Sequence, residues 1–168
     1  YAAHLIGFVN KDKRAQYGVE QQYNSWLSGT PGRVFPMLKE GKYIMEENIP
    51  AQQGNTLVLT IDETIQHFVE IALQNAVNEH NPKNASIIAM DPNTAEILAM
   101  AAYPTYNPNQ YNDLSKWLGE NTWSNLSNEQ KVGKLNAVWR NYNVSDTYEP
   151  GSTFKPLLVA AALEEKRF

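Results

Sequence analysis

Residues 60–80 place the strongest constraint on the fold of this 168-residue chain. Apolar side chains recur there every three to four residues, which is the spacing of one face of an α-helix. Thr60 and Glu63 predict a capping box at its start, and Asn81-Pro82 predicts its end because proline cannot continue a helix. The apolar face predicted by this pattern consists of Ile65, Phe68, Val69, Ala72, Leu73, Ala76 and Val77.

Two apolar runs follow this helix, and together they predict a β-hairpin. Residues 85–90 and residues 95–102 flank Asp91-Pro92-Asn93-Thr94, whose side chains favour a turn. Both runs are apolar at nearly every position, which predicts that both faces of the strands are covered. A helix followed by a hairpin predicts an α+β fold in which the helix packs on one face of the strands.

The rest of the chain is less regular. Residues 1–56 are interrupted every few positions by glycine or proline, which predicts a small β-rich segment of short strands and one helix around residues 20–27. The strands are expected at residues 4–9, 33–35 and 43–45. Residues 103–149 are polar and predict a long irregular loop, whose tryptophans anchor it to the core.

Composition excludes several classes of function. The net charge of -4 provides no basic surface for nucleic acid. The absence of cysteine excludes disulfides, thiolate metal sites and a cysteine nucleophile. No apolar run approaches the roughly 18 residues that span a bilayer. The chain begins without methionine and stops within a helical pattern, so we expect it to be a fragment of a longer protein.

Ser152 and Lys155 are the candidate catalytic residues. At this spacing on a helix, the lysine amine can reach the serine hydroxyl and accept its proton. The amine must be neutral to do so, and the apolar run after Pro156 predicts a buried helix that disfavours its charge. Pro156 has no N–H and is best tolerated in the first turn, so Ser152 should lie where free N–H groups stabilise an oxyanion.

Two considerations qualify this interpretation. Lys155 precedes a proline, which disfavours helical angles and predicts a distorted first turn. Taken alone, Ser-x-x-Lys is also compatible with an N-cap serine followed by a surface lysine. The motif nevertheless occurs as the nucleophile of penicillin-binding proteins and class A β-lactamases.

The wider sequence resembles one of these families. Residues 148–156, Tyr-Glu-Pro-Gly-Ser-Thr-Phe-Lys-Pro, resemble the active-serine segment of class B penicillin-binding proteins. Further blocks follow that family's order along nearly the whole chain, and collinear blocks are far more specific than one motif. They are Ala2-Ala3-His4-Leu5-Ile6-Gly7, Tyr17-Gly18-Val19-Glu20, Leu27-Ser28-Gly29-Thr30-Pro31-Gly32, Thr60-Ile61-Asp62 with Ile65-Gln66, Met90-Asp91-Pro92, Glu96-Ile97-Leu98-Ala99-Met100, Tyr103-Pro104 and Asn107-Pro108-Asn109.

The chain also departs from the family pattern. It has Thr94-Ala95 where the family usually has Thr-Gly, and Asn141-Tyr142-Asn143 where it often has Asn-Arg-Ala, which removes a positive charge near the cleft. The family's Ser-x-Asn and Lys-Thr-Gly motifs do not occur after Lys155. We therefore expect the remaining strands and one wall of the cleft to be missing, and these 168 residues to be inactive by themselves.

The resemblance implies a penicillin-binding-protein and serine β-lactamase-like transpeptidase fold, with an antiparallel sheet covered by helices. Residues 1–56 would form a linker or pedestal segment, and residues 57–168 the N-terminal portion of the transpeptidase domain. The implied activity is that of a peptidoglycan D,D-transpeptidase that cross-links stem peptides. Ser152 would form the acyl-enzyme, Lys155 would accept its proton, and β-lactams would acylate the same serine. No metal or organic cofactor is implied.

The family also implies a location, and two other functions remain open. The whole protein would be anchored in the bacterial cell membrane, with this region on the extracytoplasmic face. A serine β-lactamase would use the same serine and lysine to hydrolyse β-lactams, and a sensor or scaffold domain would keep the fold without transpeptidation. The pedestal-like blocks within residues 2–32 favour the transpeptidase over both.

Overall fold

The computed structural model describes residues 1–39 and 41–167. The strands are β1 (Phe8–Val9), β2 (Ala15–Gln16), β3 (Arg33–Lys39), β4 (Lys42–Ile49), β5 (Ala85–Met90) and β6 (Ile97–Tyr103). The helices are α1 (Ala3–Ile6), α2 (Gly18–Gln22), α3 (Asn24–Leu27), α4 (Glu63–His80), α5 (Ser115–Leu118), α6 (Glu120–Ser124), α7 (Asn128–Trp139), α8 (Tyr142–Ser145) and α9 (Lys155–Glu164). Antiparallel pairing joins β1 to β2, β3 to β4 and β5 to β6. This arrangement confirms the predicted α+β class.

Helix α4 confirms the predicted helix but not its predicted cap. Asp62 is the N-cap, and its carboxylate accepts a hydrogen bond of 2.8 Å from the Ile65 amide. Thr60 instead donates its hydroxyl to the Ile97 carbonyl at 2.6 Å, which ties the approach to α4 to strand β6. The prediction of a capping box formed by Thr60 and Glu63 was therefore wrong. Asp62, next to the helix, accepts from an amide of the first turn that has no partner within the helix, and its negative charge interacts favourably with the helix dipole. The helix ends, as predicted, at Asn81.

The buried face of α4 includes a polar side chain that periodicity did not predict. Gln66 is only 1% exposed, whereas Phe68, assigned to the apolar face, is 63% exposed. The Gln66 amide accepts from the Met100 N–H at 2.8 Å and donates to the Met100 carbonyl at 3.0 Å. The side chain thus satisfies the backbone of β6 as a neighbouring strand would. Leu73 and Val77 complete the buried face.

The predicted hairpin is confirmed as β5 and β6, which pair from Ala85 with Tyr103 to Met90 with Ile97. In its turn, Asp91 accepts hydrogen bonds from the amides of Asn93 and Thr94. Ala95 adopts a φ of 62°, a left-handed conformation that costs a residue with a Cβ roughly 1–2 kcal/mol. The departure from Thr-Gly is therefore accommodated with backbone strain.

Burial of the hairpin differs between its two strands. Ala99 to Ala102 of β6 are buried, as expected, and α4 covers one face of the pair. In β5, however, Ile88 is 47% exposed and Met90 is 56% exposed. The prediction that both faces are covered was wrong for β5. An apolar sequence shows that a strand face can be buried, but another element must pack on that face to bury it. None of the described residues covers the face of β5 that carries Ile88 and Met90.

The N-terminal segment is more helical than predicted. Residues 3–6 form α1, so only Phe8 and Val9 of the expected first strand are extended, and the expected single helix is divided into α2 and α3. The β3–β4 hairpin confirms the two later strands. Gly7 makes the compact start feasible, because its φ is 83° and a Cβ there would lie 2.2 Å from the Tyr17 carbonyl oxygen.

The first residues of the chain share a core with the region predicted to be a loop. Phe8 stacks on Tyr111 with ring centroids 4.3 Å apart and packs against Trp139 at 5.0 Å. The shared cluster of buried residues consists of Ala3, Phe8, Tyr106, Leu114, Leu135 and Val138. The irregular-loop prediction was wrong for α7, whose capping box joins Ser127 and Gln130. Its mostly polar sequence gives little apolar periodicity, so the pattern did not reveal it.

His4 links α1 to α7 from within this core. The ring is 5% exposed, and its Nε2 donates to the Val138 carbonyl at 2.8 Å. Tyr106 lies against the ring in an edge-on arrangement. Burial lowers the pKa of His4 below its usual 6.5, although the Val138 carbonyl and the Glu70 carboxylate partly oppose the shift.

We expect His4 to make the protein less stable as the pH falls. The unfolded chain protonates this imidazole near its usual pKa, but the folded protein does so only at lower pH, so the unfolded state binds more protons in between. The stabilisation is complete above the unfolded pKa and declines as the pH falls through it. Urea unfolding of the wild type and His4→Gln between about pH 8 and about pH 5 should show a smaller pH dependence in the variant. The exposed His80→Gln is the control, and equal slopes for wild type and His4→Gln would contradict the prediction.

Candidate active site

Ser152 and Lys155 lie on a tight turn that leads directly into a helix. Residues Gly151–Phe154 form a 3₁₀ turn, and α9 begins at Lys155. The Lys155 N–H donates to the Ser152 carbonyl, which closes that turn. Side chains three residues apart lie above one another in 3₁₀ geometry. The backbone therefore directs the Cα–Cβ bonds of Ser152 and Lys155 to the same side of the turn, and the described residues show no hydrogen bond between the hydroxyl and the amine.

The predicted distortion before Pro156 occurs, but not at the expected residue. Lys155 adopts helical angles, with φ −59° and ψ −40°, so the expectation that proline would displace it was wrong. The irregularity lies in the 3₁₀ turn itself and in Gly151, whose φ of 58° is left-handed. Thr153 donates its hydroxyl to the Pro150 carbonyl and thereby fixes the turn locally. Pro156 occupies the first turn of α9, where its missing N–H is tolerated.

Helix α9 is not buried by the described part of the chain. Leu157 and Leu163 are each 62% exposed, and Ser152 and Lys155 are exposed as well. The prediction of a buried helix was therefore wrong for these residues. Its sequence is apolar on all sides, but among the described helices and strands its main contacts are with its own 3₁₀ turn. The apolar surroundings expected for the amine are accordingly not present among them.

The segment before the serine makes contacts that the sequence did not predict. Arg140 forms an ion pair with Asp146 and donates to the Ser145 carbonyl at 2.9 Å, so it spans α8. Asn141, Tyr142 and Asn143 contact the β5–β6 hairpin. The sequence indicated these three residues only as a departure from the family pattern. A side chain that hydrogen-bonds to backbone groups far away in the sequence produces no periodic pattern of apolar residues.

The described residues also bear on metal binding and membrane insertion. Within residues 1–39 and 41–167, no cluster of three or more histidine, aspartate or glutamate side chains is placed to hold a metal ion. No helix in that same part of the chain combines the length and apolar character of a membrane span.

Residues 85–168 match the model of the penicillin binding protein transpeptidase domain. The matched region includes the β5–β6 hairpin, α8 and the Ser152 turn. The chain therefore belongs to the penicillin-binding-protein transpeptidase family.

Related proteins and solved structures agree with this assignment. The peptidoglycan D,D-transpeptidase FtsI of Escherichia coli is 38% identical over 96% of this chain and 24% of its own length. The stage V sporulation protein D of Bacillus subtilis is 32% identical over 99% of this chain and 24% of its own. Penicillin binding protein 3 of Mycobacterium tuberculosis superposes with a TM-score of 0.68, at 29% identity, over 98% of this chain and 30% of its own. The chain thus spans about a quarter of the length of these curated relatives, and the likeness confirms the predicted fold family.

Proposed function

We propose that this chain contributes the nucleophile to a peptidoglycan D,D-transpeptidase. The observation that carries the proposal is the Ser152 and Lys155 turn at the start of α9, inside the region that matches the transpeptidase domain. The relative from Escherichia coli bears that activity in its name. Ser152 is the proposed nucleophile, and Lys155 is the proposed base.

The proposed reaction has two acyl transfers. The Ser152 Oγ attacks the carbonyl between the two terminal D-alanines of a stem peptide while the Lys155 Nζ takes the hydroxyl proton. The tetrahedral intermediate expels the terminal D-alanine, whose nitrogen receives that proton, and leaves an ester on Ser152. An amine of a neighbouring strand then attacks the ester and forms the cross-link. Its proton returns through Lys155 to the Ser152 oxygen.

β-Lactams are the proposed covalent inhibitors of this serine. Penicillin binding protein 3 of Mycobacterium tuberculosis has been solved in complexes with ampicillin and with aztreonam. In this chain, opening of the lactam by Ser152 would give the same kind of ester as the stem peptide, but without a leaving group that diffuses away. The ester would therefore persist.

The proposal extends to domain organisation and location. Residues 1–56 would serve as the linker or pedestal segment, and residues 57–168 as the first portion of the transpeptidase domain. The packing of Phe8 against Tyr111 and Trp139 would then join the two parts through a common core. The whole protein would act at the extracytoplasmic face of the bacterial cell membrane, where peptidoglycan is assembled.

The stoichiometry of β-lactam reaction tests this function. The whole protein should bind about one penicillin per molecule and release it slowly, because a transpeptidase, unlike a β-lactamase, does not require a water positioned for rapid hydrolysis of the ester. Intact mass after mixing and the rate of penicilloate release measure both properties. Rapid multiple turnover would identify a β-lactamase instead. Slow acylation without cross-linking of stem peptides would identify a sensor or scaffold.

A further inference from the structure

The open end of the β5–β6 hairpin is held by one phenol. The Tyr142 hydroxyl donates to the Ala85 carbonyl and lies 3.4 Å from the Tyr103 carbonyl oxygen. Ala85 and Tyr103 face each other across the two strands, at the end opposite the turn. A single side chain therefore contacts both strands of the hairpin at their last pair.

The two neighbours of Tyr142 also contact strand β6. The Asn143 amide donates to the Ala101 carbonyl at 3.5 Å, and the Asn141 amide lies 3.3 Å from the Met100 sulfur. The Asn141 side chain also accepts from the Asn143 N–H at 3.2 Å, which caps the start of α8. Three consecutive side chains thus hold α8 against the hairpin, and we call residues 141–143 the clasp.

Among the described residues, the clasp is the last part of the chain before the nucleophile that bonds to the hairpin. Arg140 closes α8 through Ser145 and Asp146. Residues 147–151 are exposed, and within the described ranges none of the hydrogen bonds joins residues 147–149 to another part of the chain. The clasp therefore fixes the point on the hairpin from which the segment that carries Ser152 starts.

The protonation state of Tyr142 suits this contact. Burial raises the pKa of the phenol. The hydroxyl thus remains a neutral donor at physiological pH, and backbone carbonyls of a strand are acceptors only.

We infer that Tyr142 is a positioning residue for Ser152, because its hydroxyl fixes the clasp on the hairpin from which the nucleophile segment departs. The inference rests on the proposed role of Ser152 as the nucleophile. Loss of the hydroxyl should leave the ring of the side chain unchanged but weaken the attachment of α8 to the hairpin, so that the segment after α8 becomes more mobile. Because a small misplacement of a reacting group slows chemistry more than binding, acylation should slow while noncovalent affinity stays similar.

Tyr142→Phe in the whole protein tests the inference through the kinetics of penicillin acylation. We expect the acylation rate constant to fall about tenfold while the dissociation constant of the noncovalent complex changes less than about twofold. Tyr142→Arg should recover most of the rate, because a guanidinium can donate to both carbonyls. Recovery by a chemically different donor would not follow from a general packing role.

Tyr106→Phe is the matched control. The Tyr106 phenol is buried, whereas Tyr142 is partly buried, and it likewise donates to a backbone carbonyl, that of Ala3, at 3.0 Å and far from the clasp in sequence. Its loss should lower the melting temperature at least as much as Tyr142→Phe and leave the acylation rate unchanged. A wild-type rate in Tyr142→Phe, or an equal slowing in Tyr106→Phe, would overturn the inference alone. A wild-type protein that is not acylated at Ser152 would overturn the proposed function and the inference together.

Discussion

Replacing Ser152 by alanine in the whole protein should abolish covalent labelling by penicillin. The acyl-enzyme requires an oxygen that can attack the lactam carbonyl, and alanine has none. Ser152 is exposed at the 3₁₀ turn, so the loss of its hydroxyl should not disturb the core. The rate of labelling should fall by at least about a thousandfold, as measured with a fluorescent penicillin and intact mass.

Ser145→Ala supplies the control for this variant. Ser145 is also exposed and lies in α8, and it is the backbone carbonyl, not the hydroxyl, that accepts from Arg140. The control should label at the wild-type rate and melt at the wild-type temperature. Labelling of Ser152→Ala at an undiminished rate would show that another residue is the nucleophile.

The second large effect is expected at Lys155. If its amine accepts the proton of Ser152, Lys155→Met should slow acylation by about 10²–10⁴-fold, the usual contribution of a general base. The substitution preserves the apolar stem of an exposed side chain, so the fold should survive. Stopped-flow measurement of the acylation rate over a range of penicillin concentrations separates this chemical step from binding.

Lys155→Arg distinguishes a base from a positive charge. Arginine keeps the charge but does not lose its proton in proteins, so it should be as slow as Lys155→Met. Lys83→Arg, at an exposed position in the loop before β5, should retain the wild-type rate. Near-wild-type acylation by Lys155→Arg would mean that Lys155 contributes charge alone and that a different group takes the proton.

Local patterns predicted helix α4 and the β5–β6 hairpin. The spacing of apolar residues located α4, and Asn81-Pro82 located its end. Two apolar runs around an Asp-Pro-Asn turn located the β5–β6 hairpin. These features depend on neighbours within a few residues, so the sequence contains most of the information that determines them.

Features that depend on distant partners were not predictable in this way. Gln66 replaces Phe68 on the inner face of α4 because the Met100 backbone, more than thirty residues away, needs a donor and an acceptor. The exposure of α9 and of Ile88 follows from the absence of a covering element in the described part of the chain. Neither the polar contact nor the missing cover leaves a periodic pattern.

The candidate site was predictable to the extent that it is a motif. Ser-x-x-Lys before a proline and an apolar run indicated a helix start at this position, and the structure has there a 3₁₀ turn that leads into α9. The contact between Tyr142 and the hairpin could not be predicted, because it joins α8 to residues 85 and 103 through a single hydroxyl. The sequence indicated only that an arginine was missing there.

Peptide mapping of the penicillin adduct tests the account most directly. The whole protein is mixed with penicillin, quenched and digested, and the acylated peptide is sequenced by tandem mass spectrometry. One adduct on the Ser152 oxygen is the expected result. An adduct on any other side chain, or an intact folded protein with no adduct, would contradict the assignment of this turn as the catalytic centre.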